Sequence, residues 1–209
     1  MKKLVFNIIL IFSVINSVLA QELSSIKLNN PNTKRGLPVM EALSQRASVK
    51  EWSEKKLNLQ DLSDLLWASN GINRPDESKR TAASALNAQD VDVYVVMEEG
   101  SYLYDAKMQE LTAVAKGDFR EATGKTTAPV VIVLVSDISR FKSGEVASKL
   151  NWAALDIGIV SQNIALFCAG TGLKTRPRVS MDVAKIKSVL KLSDSQYPML
   201  NHPVGYEKK

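Results

Sequence analysis

The 209 residues contain one cysteine and one histidine, and these two scarcities remove most of the usual catalytic chemistry. A single thiol, Cys168, cannot close an intramolecular disulfide, so its expected state is a buried, inert side chain. A single imidazole leaves no HExxH helix and no histidine-rich metal cluster, and the chain has no CxxC pair, P-loop, GxSxG elbow or GxGxxG fingerprint. His202 stands directly before Pro203 near the C-terminus, where a hydrogen-bonding role at a strand end is expected rather than general-base work. With so few acid–base side chains, redox chemistry in this chain would have to be carried by a bound cofactor.

Long apolar runs are also scarce. Lys2 and Lys3 precede the run from Leu4 to Leu19, which ends in Val18-Leu19-Ala20, the pattern of a secretory signal (residues 1–20) cut after Ala20. No cysteine follows that point, which excludes a lipoprotein, and Asn7, Ser13, Asn16 and Ser17 within the run weigh against a retained anchor. Further on, the best candidate for a bilayer span is interrupted at Asp156 and Gln162, so no membrane span is expected after cleavage, and the protein is expected to be exported, periplasmic or secreted. Charge of one sign is lacking too: 27 Lys and Arg against 22 Asp and Glu, interspersed, give no phosphate-tracking stripe, and no nucleic acid is expected as partner.

What is present divides into three parts. After the signal, residues 21–35 are polar, with Asn29-Asn30-Pro31-Asn32, and read as a flexible N-terminal segment or one ordered only on contact; a domain over 36–209 follows. Pro38 at a first-turn position predicts a helix ending near 44–46, and a second helix follows Asn58, with Leu59, Leu62, Leu65, Leu66 and Trp67 in one stripe and Gly71 as its stop. Alternating Val91, Val93 and Val95, then Tyr102 to Asp105, then Leu111 to Val114 predict a three-strand meander with the acidic pair Glu98-Glu99 at a solvated tip. The β-branched run from Pro129 to Val135 has the composition of a central strand buried on both faces. From Glu145 to Thr171 apolar groups fall on nearly every face, which predicts a helix buried all round, and Ala153, Ala154 and Gly158 would let a second copy approach closely, as in a homodimer. Asp182 caps a short helix to Leu190, and Tyr197 to Tyr206 is a last strand that Pro203 confines to an edge or terminal position. Trp52, Trp67 and Trp152 are assigned to packing. The class is α+β, mostly antiparallel sheet flanked by helices, without βαβ units.

Five short segments stand out in combination. Arg46, Ser48 and Lys50, with Ala47 between them, place a guanidinium, a hydroxyl and an ammonium at alternate positions, able to converge on one phosphate; the same two cations also suit a helix C-terminus. The others are Leu65 to Pro75, Arg80 to Gln89, Ser161-Gln162-Asn163-Ile164 leading to Gly172-Leu173-Lys174-Thr175, and Pro203-Val204-Gly205-Tyr206. In order and spacing they resemble the nitroreductase-like flavoenzyme family, on the side of the branch that includes azoline-oxidising dehydrogenases, over about Gly36 to Lys209.

The resemblance implies a dimeric FMN-dependent oxidoreductase with two flavin sites at the subunit interface, transferring two electrons through flavin N5 between a small-molecule donor and acceptor, with no catalytic side chain. It implies that Arg46, Ala47, Ser48 and Lys50 hold the phosphate and ribityl end, and that Ser84, Ala85 and Asn87 reach the flavin bound mainly by the other subunit. It also implies that the Val179 or Ser180 N–H points at N5, that Arg178 places a cation near N1 and O2, and that Lys208 and Lys209 approximate a basic C-terminal contact. The chain departs from the family pattern at Ala83, where relatives carry proline, and at Val179, where near relatives carry glycine. The stretch 117–128 is short and lacks the usual Gln, so that flavin contact is either lost or supplied by another residue such as Arg120 or Lys125. These departures favour, as the alternative, an exported flavin-binding or flavin-free scaffold of the same fold without turnover. Oxidation of a peptide azoline is a third, subordinate reading.

Overall fold

The computed structural model describes residues 22–208, so the expected signal segment and Lys209 lie outside the described residues. The elements in chain order are β1 (Ile26–Lys27), α1 (Val39–Gln45), α2 (Leu59–Asn70), β2 (Ile72–Arg74), β3 (Lys79–Arg80), β4 (Val91–Val96), β5 (Gly100–Asp105), β6 (Glu110–Lys116), β7 (Val130–Asp137), α3 (Val146–Thr171), β8 (Lys174–Thr175), α4 (Val183–Val189) and β9 (Gln196–Gly205). Seven strands form one sheet in the order β1-β6-β5-β4-β7-β9-β8, every strand pair antiparallel, and β2 pairs with β3 apart from it. The expected meander is β4-β5-β6, and Glu98 and Glu99 at its first turn are exposed, facing Lys56 at 3.3 and 3.7 Å.

The β-branched run forms β7, between β4 and β9, and its two faces feed two cores. Val130, Ile132 and Leu134 pack with Leu65, Ile157 and Ile164 under α2 and α3, whereas Val131, Val133 and Val135 pack with Ile186, Val189 and Leu190 of the α4 region. A continuous run rather than an alternating one is what a strand covered on both faces requires. α2 starts where Asn58 accepts the Asp61 N–H, and α4 starts where Asp182 accepts the Lys185 N–H, both side-chain N-caps.

Three expectations are corrected. α3 is not buried all round: Ala153, Asp156, Ile157, Val160, Ser161, Ile164, Ala165 and Cys168 are buried, but Ala154, Gly158 and Gln162 are exposed, and Leu155 and Ile159 are 66% and 39% exposed. The sheet and the helices α1 and α2 cover only one side of it. α3 is the one helix among the described residues long and apolar enough to cross a bilayer, yet its inner face is built into the domain core.

The lead-in is docked, not loose. β1 pairs with β6, Leu28 is buried, and Arg35 reaches Asp61 at 2.7 Å and the buried Asp64 at 2.9 Å. The Asn29 and Asn32 N–H groups are donated to Ser63 Oγ and Asp64 Oδ1. Polar composition disguised this role because the segment is held largely by hydrogen bonds.

β9 is not the edge strand; it pairs along its length with β7 and on the outside with the two residues of β8 and, further along, with Arg178. Asn201 exchanges both backbone hydrogen bonds with Arg178 on that outer side. Pro203, two residues on, turns its missing N–H the same way, so proline costs the β7 ladder nothing.

Candidate functional site

The chain leaving α1 runs alongside β8. Ser48 bridges Thr175 in parallel, the Val49 N–H is donated to Thr175 O at 3.2 Å, and Trp52, buried, gives its indole N–H to Lys174 O at 2.9 Å. This fixes Arg46, Ala47, Ser48 and Lys50 as an exposed strip on the open margin of the sheet. Arg46 and Lys50 have no acidic partner among the described residues. Lys174 and Lys208, by contrast, are matched to Glu207 at 3.5 Å and Glu51 at 3.0 Å. Two unmatched cations flanking a hydroxyl in extended backbone suit a dianionic phosphate better than a helix terminus, since α1 ends at Gln45 and the strip lies beyond it.

Beneath this margin lies His202, fully buried. Thr175 Oγ1 donates to Pro203 O at 2.9 Å, so at the 3.1 Å contact between Thr175 Oγ1 and His202 Nδ1 the ring nitrogen is the donor. Nε2 then accepts the Ser161 hydroxyl at 2.9 Å. Burial, and then the nearby Arg178 charge, push the His202 pKa down to about 3. The imidazole is thus a neutral tie between α3, β8 and β9 rather than a base, as its position before Pro203 led us to expect.

Arg178 follows β8. Its guanidinium is buried and makes four hydrogen bonds: two to Asn201 Oδ1 at 3.0 and 2.8 Å, one to Lys125 O at 3.0 Å and one to Thr123 O at 2.9 Å. It therefore clamps the short 117–128 stretch onto β9 instead of standing free over a ligand, and no carboxylate among the described residues neutralises it. Burial lowers its pKa, with Arg176 adding repulsion. Val179 is 77% exposed, Ser180 is exposed, and the N–H groups of both are donated to no acceptor among the described residues. Arg120 is committed to Asp118 at 2.6 Å and to Ala128 O, and with Lys125 it lines an open cleft of about 630 Å³ that also holds Glu54, Glu98 and Thr127.

Ser84, Ala85 and Asn87 lie elsewhere. The Ala85 N–H is donated to both oxygens of Asp156, and Asp156 lies 16 residues before Gly172, the left-handed C-cap of α3 at φ 79°. One chain thus brings 46–50 together with 174–180 and Lys208, but not with 84–87.

One feature escaped the sequence reading: a pair of buried acids, Asp90 and Asp156. A carboxylate inside the otherwise apolar stretch of α3 was the signal available for it, because a charge in such a place needs a partner.

A long helix laid across one face of a mostly antiparallel sheet, whose open margin carries a cationic strip and two unused N–H groups, defines an α+β class. The profile of the Nitroreductase family matches residues 43–206, and the chain belongs to that family. A protein of Methanocaldococcus jannaschii bearing a nitroreductase name is 24% identical over 179 residues, 79% of this chain and 89% of its own. The crystal structure of a Ralstonia eutropha protein titled as a nitroreductase superposes with TM-score 0.84 at 28% identity, covering 90% of this chain and 91% of that one. A chain of the Escherichia coli microcin synthetase McbBCD complex shares the fold at TM-score 0.70 and 14% identity, over 100% of this chain and 85% of that one. As a member of this family the protein is an oxidoreductase.

Proposed function

We propose that this protein is an exported, FMN-dependent oxidoreductase that works as a homodimer on small molecules. The observation that carries the reading is the strip of Arg46, Ser48 and Lys50, exposed and unmatched, joined through Thr175 to the unused N–H groups of Val179 and Ser180. These residues fit the cofactor: cations and a hydroxyl for its phosphate, and backbone donors for the redox edge of its ring. Bound there, FMN would supply two-electron transfer through N5, the reductant leaving before the acceptor enters.

The protein's own residues position and tune. Arg46 and Lys50 hold the phosphate charge, with Ser48 and the Ala47 backbone beside it. The buried, unneutralised Arg178 favours negative charge near the ring through its field rather than by contact. Lys208, already matched to Glu51, contributes to the same potential. Ser84, Ala85 and Asn87 belong to the site of the second copy; the Ala85 N–H ties their loop to Asp156 of α3 rather than to the strip. The exposed apolar faces of α1 (Val39, Met40, Leu43) and α3 (Leu155, Ile159) are the surfaces that second copy covers. Export rests on the pattern of residues 1–20.

Visible absorption of the purified protein, before and after adding FMN and desalting, tests the reading; retained flavin bands are expected. Arg46→Ala should then weaken FMN binding by about tenfold or more, the scale of a lost charge-assisted hydrogen bond, with an unchanged circular dichroism spectrum. Unaltered affinity in a fluorescence titration removes the phosphate assignment. One observation favours a second reading, a flavin-binding scaffold without turnover: the Arg178 donors are engaged within the protein. Turnover of an added electron donor and acceptor faster than with free FMN alone excludes it.

A further inference from the structure

The loop 84–89 holds three non-glycine residues in left-handed backbone, Leu86 at φ 55°, Asn87 at 51° and Gln89 at 48°. L residues avoid this region because Cβ crowds the following carbonyl, so the loop keeps its shape only where its surroundings over-determine it. Three anchors hold its far end: the Gln89 N–H is donated to Ser84 Oγ at 2.9 Å, Arg140 Nη1 to Gln89 O at 2.9 Å, and Arg80 Nε to Gln89 Oε1 at 3.0 Å. The near end depends on one acceptor. The Ala85 N–H is donated to the Asp156 carboxylate, at 3.0 and 2.9 Å to its two oxygens.

Asp156 is 2% exposed, and within its hydrogen-bonding reach lies Asp90, fully buried at the foot of β4. Asp90 Oδ2 accepts the Ser136 hydroxyl, while Asp90 Oδ1 has no partner among the described residues. Two adjacent buried carboxylates repel strongly when both are ionised, and an orphaned buried oxygen is costly. A proton kept on Asp90 and donated to Asp156 resolves both problems while Asp156 continues to accept the Ala85 N–H. Burial, with the Asp156 carboxylate adding to it, raises the Asp90 pKa to about 7. The nearby charges are Arg140, committed to Asp92 at 2.7 Å and facing Asp137 at 3.6 Å, and Arg80, which lies against Gln89.

We propose that Asp90 and Asp156 share one proton and together position the 84–89 loop, Asp156 fixing the Ala85 backbone and Asp90 holding Asp156 in the place and charge state this requires. The proposal rests on the reading above, in which this loop presents Ser84 and Asn87 to the cofactor of the second copy. Loss of the shared proton sets two anions side by side, loosens the hold on Ala85 and lets the strained backbone relax.

The test follows the Ala85 amide resonance of the isotope-labelled, FMN-free protein from about pH 5 to about pH 9, a range spanning the raised carboxyl. The expected result is one titration step near neutrality in the wild type and none in Asp90→Asn, which keeps a donor toward Asp156 but has no proton to lose. Protection of the 85–89 amides, taken relative to their intrinsic base-catalysed exchange at each pH, should fall about tenfold above that step, be retained in Asp156→Asn, whose amide oxygen still accepts, and be absent throughout in Asp156→Ala. A flat Ala85 amide in the wild type, or the same step persisting in Asp90→Asn, overturns the pair, and neither comparison depends on Asp156→Ala folding. An amide that titrates while FMN affinity is indifferent to pH upholds the pair and removes instead the cofactor role of Ser84 and Asn87.

Discussion

Arg178 and His202 lie close together beneath the cationic margin, and burial acts on each in a characteristic way. The guanidinium stays charged and is met by carbonyl and amide oxygens; the imidazole gives up its charge and is met by two hydroxyls. The lone histidine therefore marks the acid limit of stability. With its pKa lowered from 6.5 to about 3, the unfolded chain binds a proton that the folded one refuses, so stability is lost as pH falls through that window. Asp90 works in the opposite sense: its raised carboxyl stabilises the fold at low pH, and that contribution disappears as pH rises through about 7. Urea denaturation of His202→Gln should show a shallower loss of stability between about pH 6 and pH 4 than the wild type, at a cost of about 1–3 kcal/mol near neutrality from the disturbed hydroxyl partners. An unchanged acid slope would mean that His202 is charged in the fold. That His202 is not a base was legible from its neighbour Pro203. The engagement of Arg178 was not, because its partners Thr123, Lys125 and Asn201 come from loops and strands that sequence proximity does not join.

At the scale of elements, the local pattern served well wherever burial follows from one face of one segment. The helix after Asn58, the meander and the doubly covered β7 are where periodicity placed them, because a strand or helix advertises the faces it buries. α3 shows the limit. Its composition announces burial on all sides, yet one chain supplies cover for one side, leaving Leu155 and Ile159 open. If a second copy provides the rest, Leu155→Glu combined with Ile159→Glu should halve the mass measured by light scattering while the circular dichroism spectrum stays native. A wild-type protein that already runs as a monomer would remove that copy and, with it, the cross-subunit role of Ser84 and Asn87.

At the scale of the whole molecule, residues 22–35 behave as part of the domain. Their polar composition hid this, since Asn29, Asn32 and Arg35 attach by hydrogen bonds and an ion pair rather than an apolar stripe. A chain lacking residues 22–35 would expose the Leu28 site and leave Asp64 buried without its guanidinium. The expected loss is about 3–5 kcal/mol in urea denaturation, the scale of a buried charge deprived of its partner. An unshifted midpoint would show that the segment adds nothing to the fold.

The sequence by itself determined the class of fold, most element boundaries and the spacing of Arg46, Ser48 and Lys50, because hydrophobic period, caps and motif spacing are properties of neighbours along the chain. Only the tertiary structure decided that these three lie on an open margin beside Thr175, that the loop of Ser84 and Asn87 is tied to α3 at Asp156 instead, and that Asp90 meets Asp156. Exposure, charge state and the pairing of buried polar groups depend on what lies across space, and residues distant in the chain meet only when the sheet and its helices close around them.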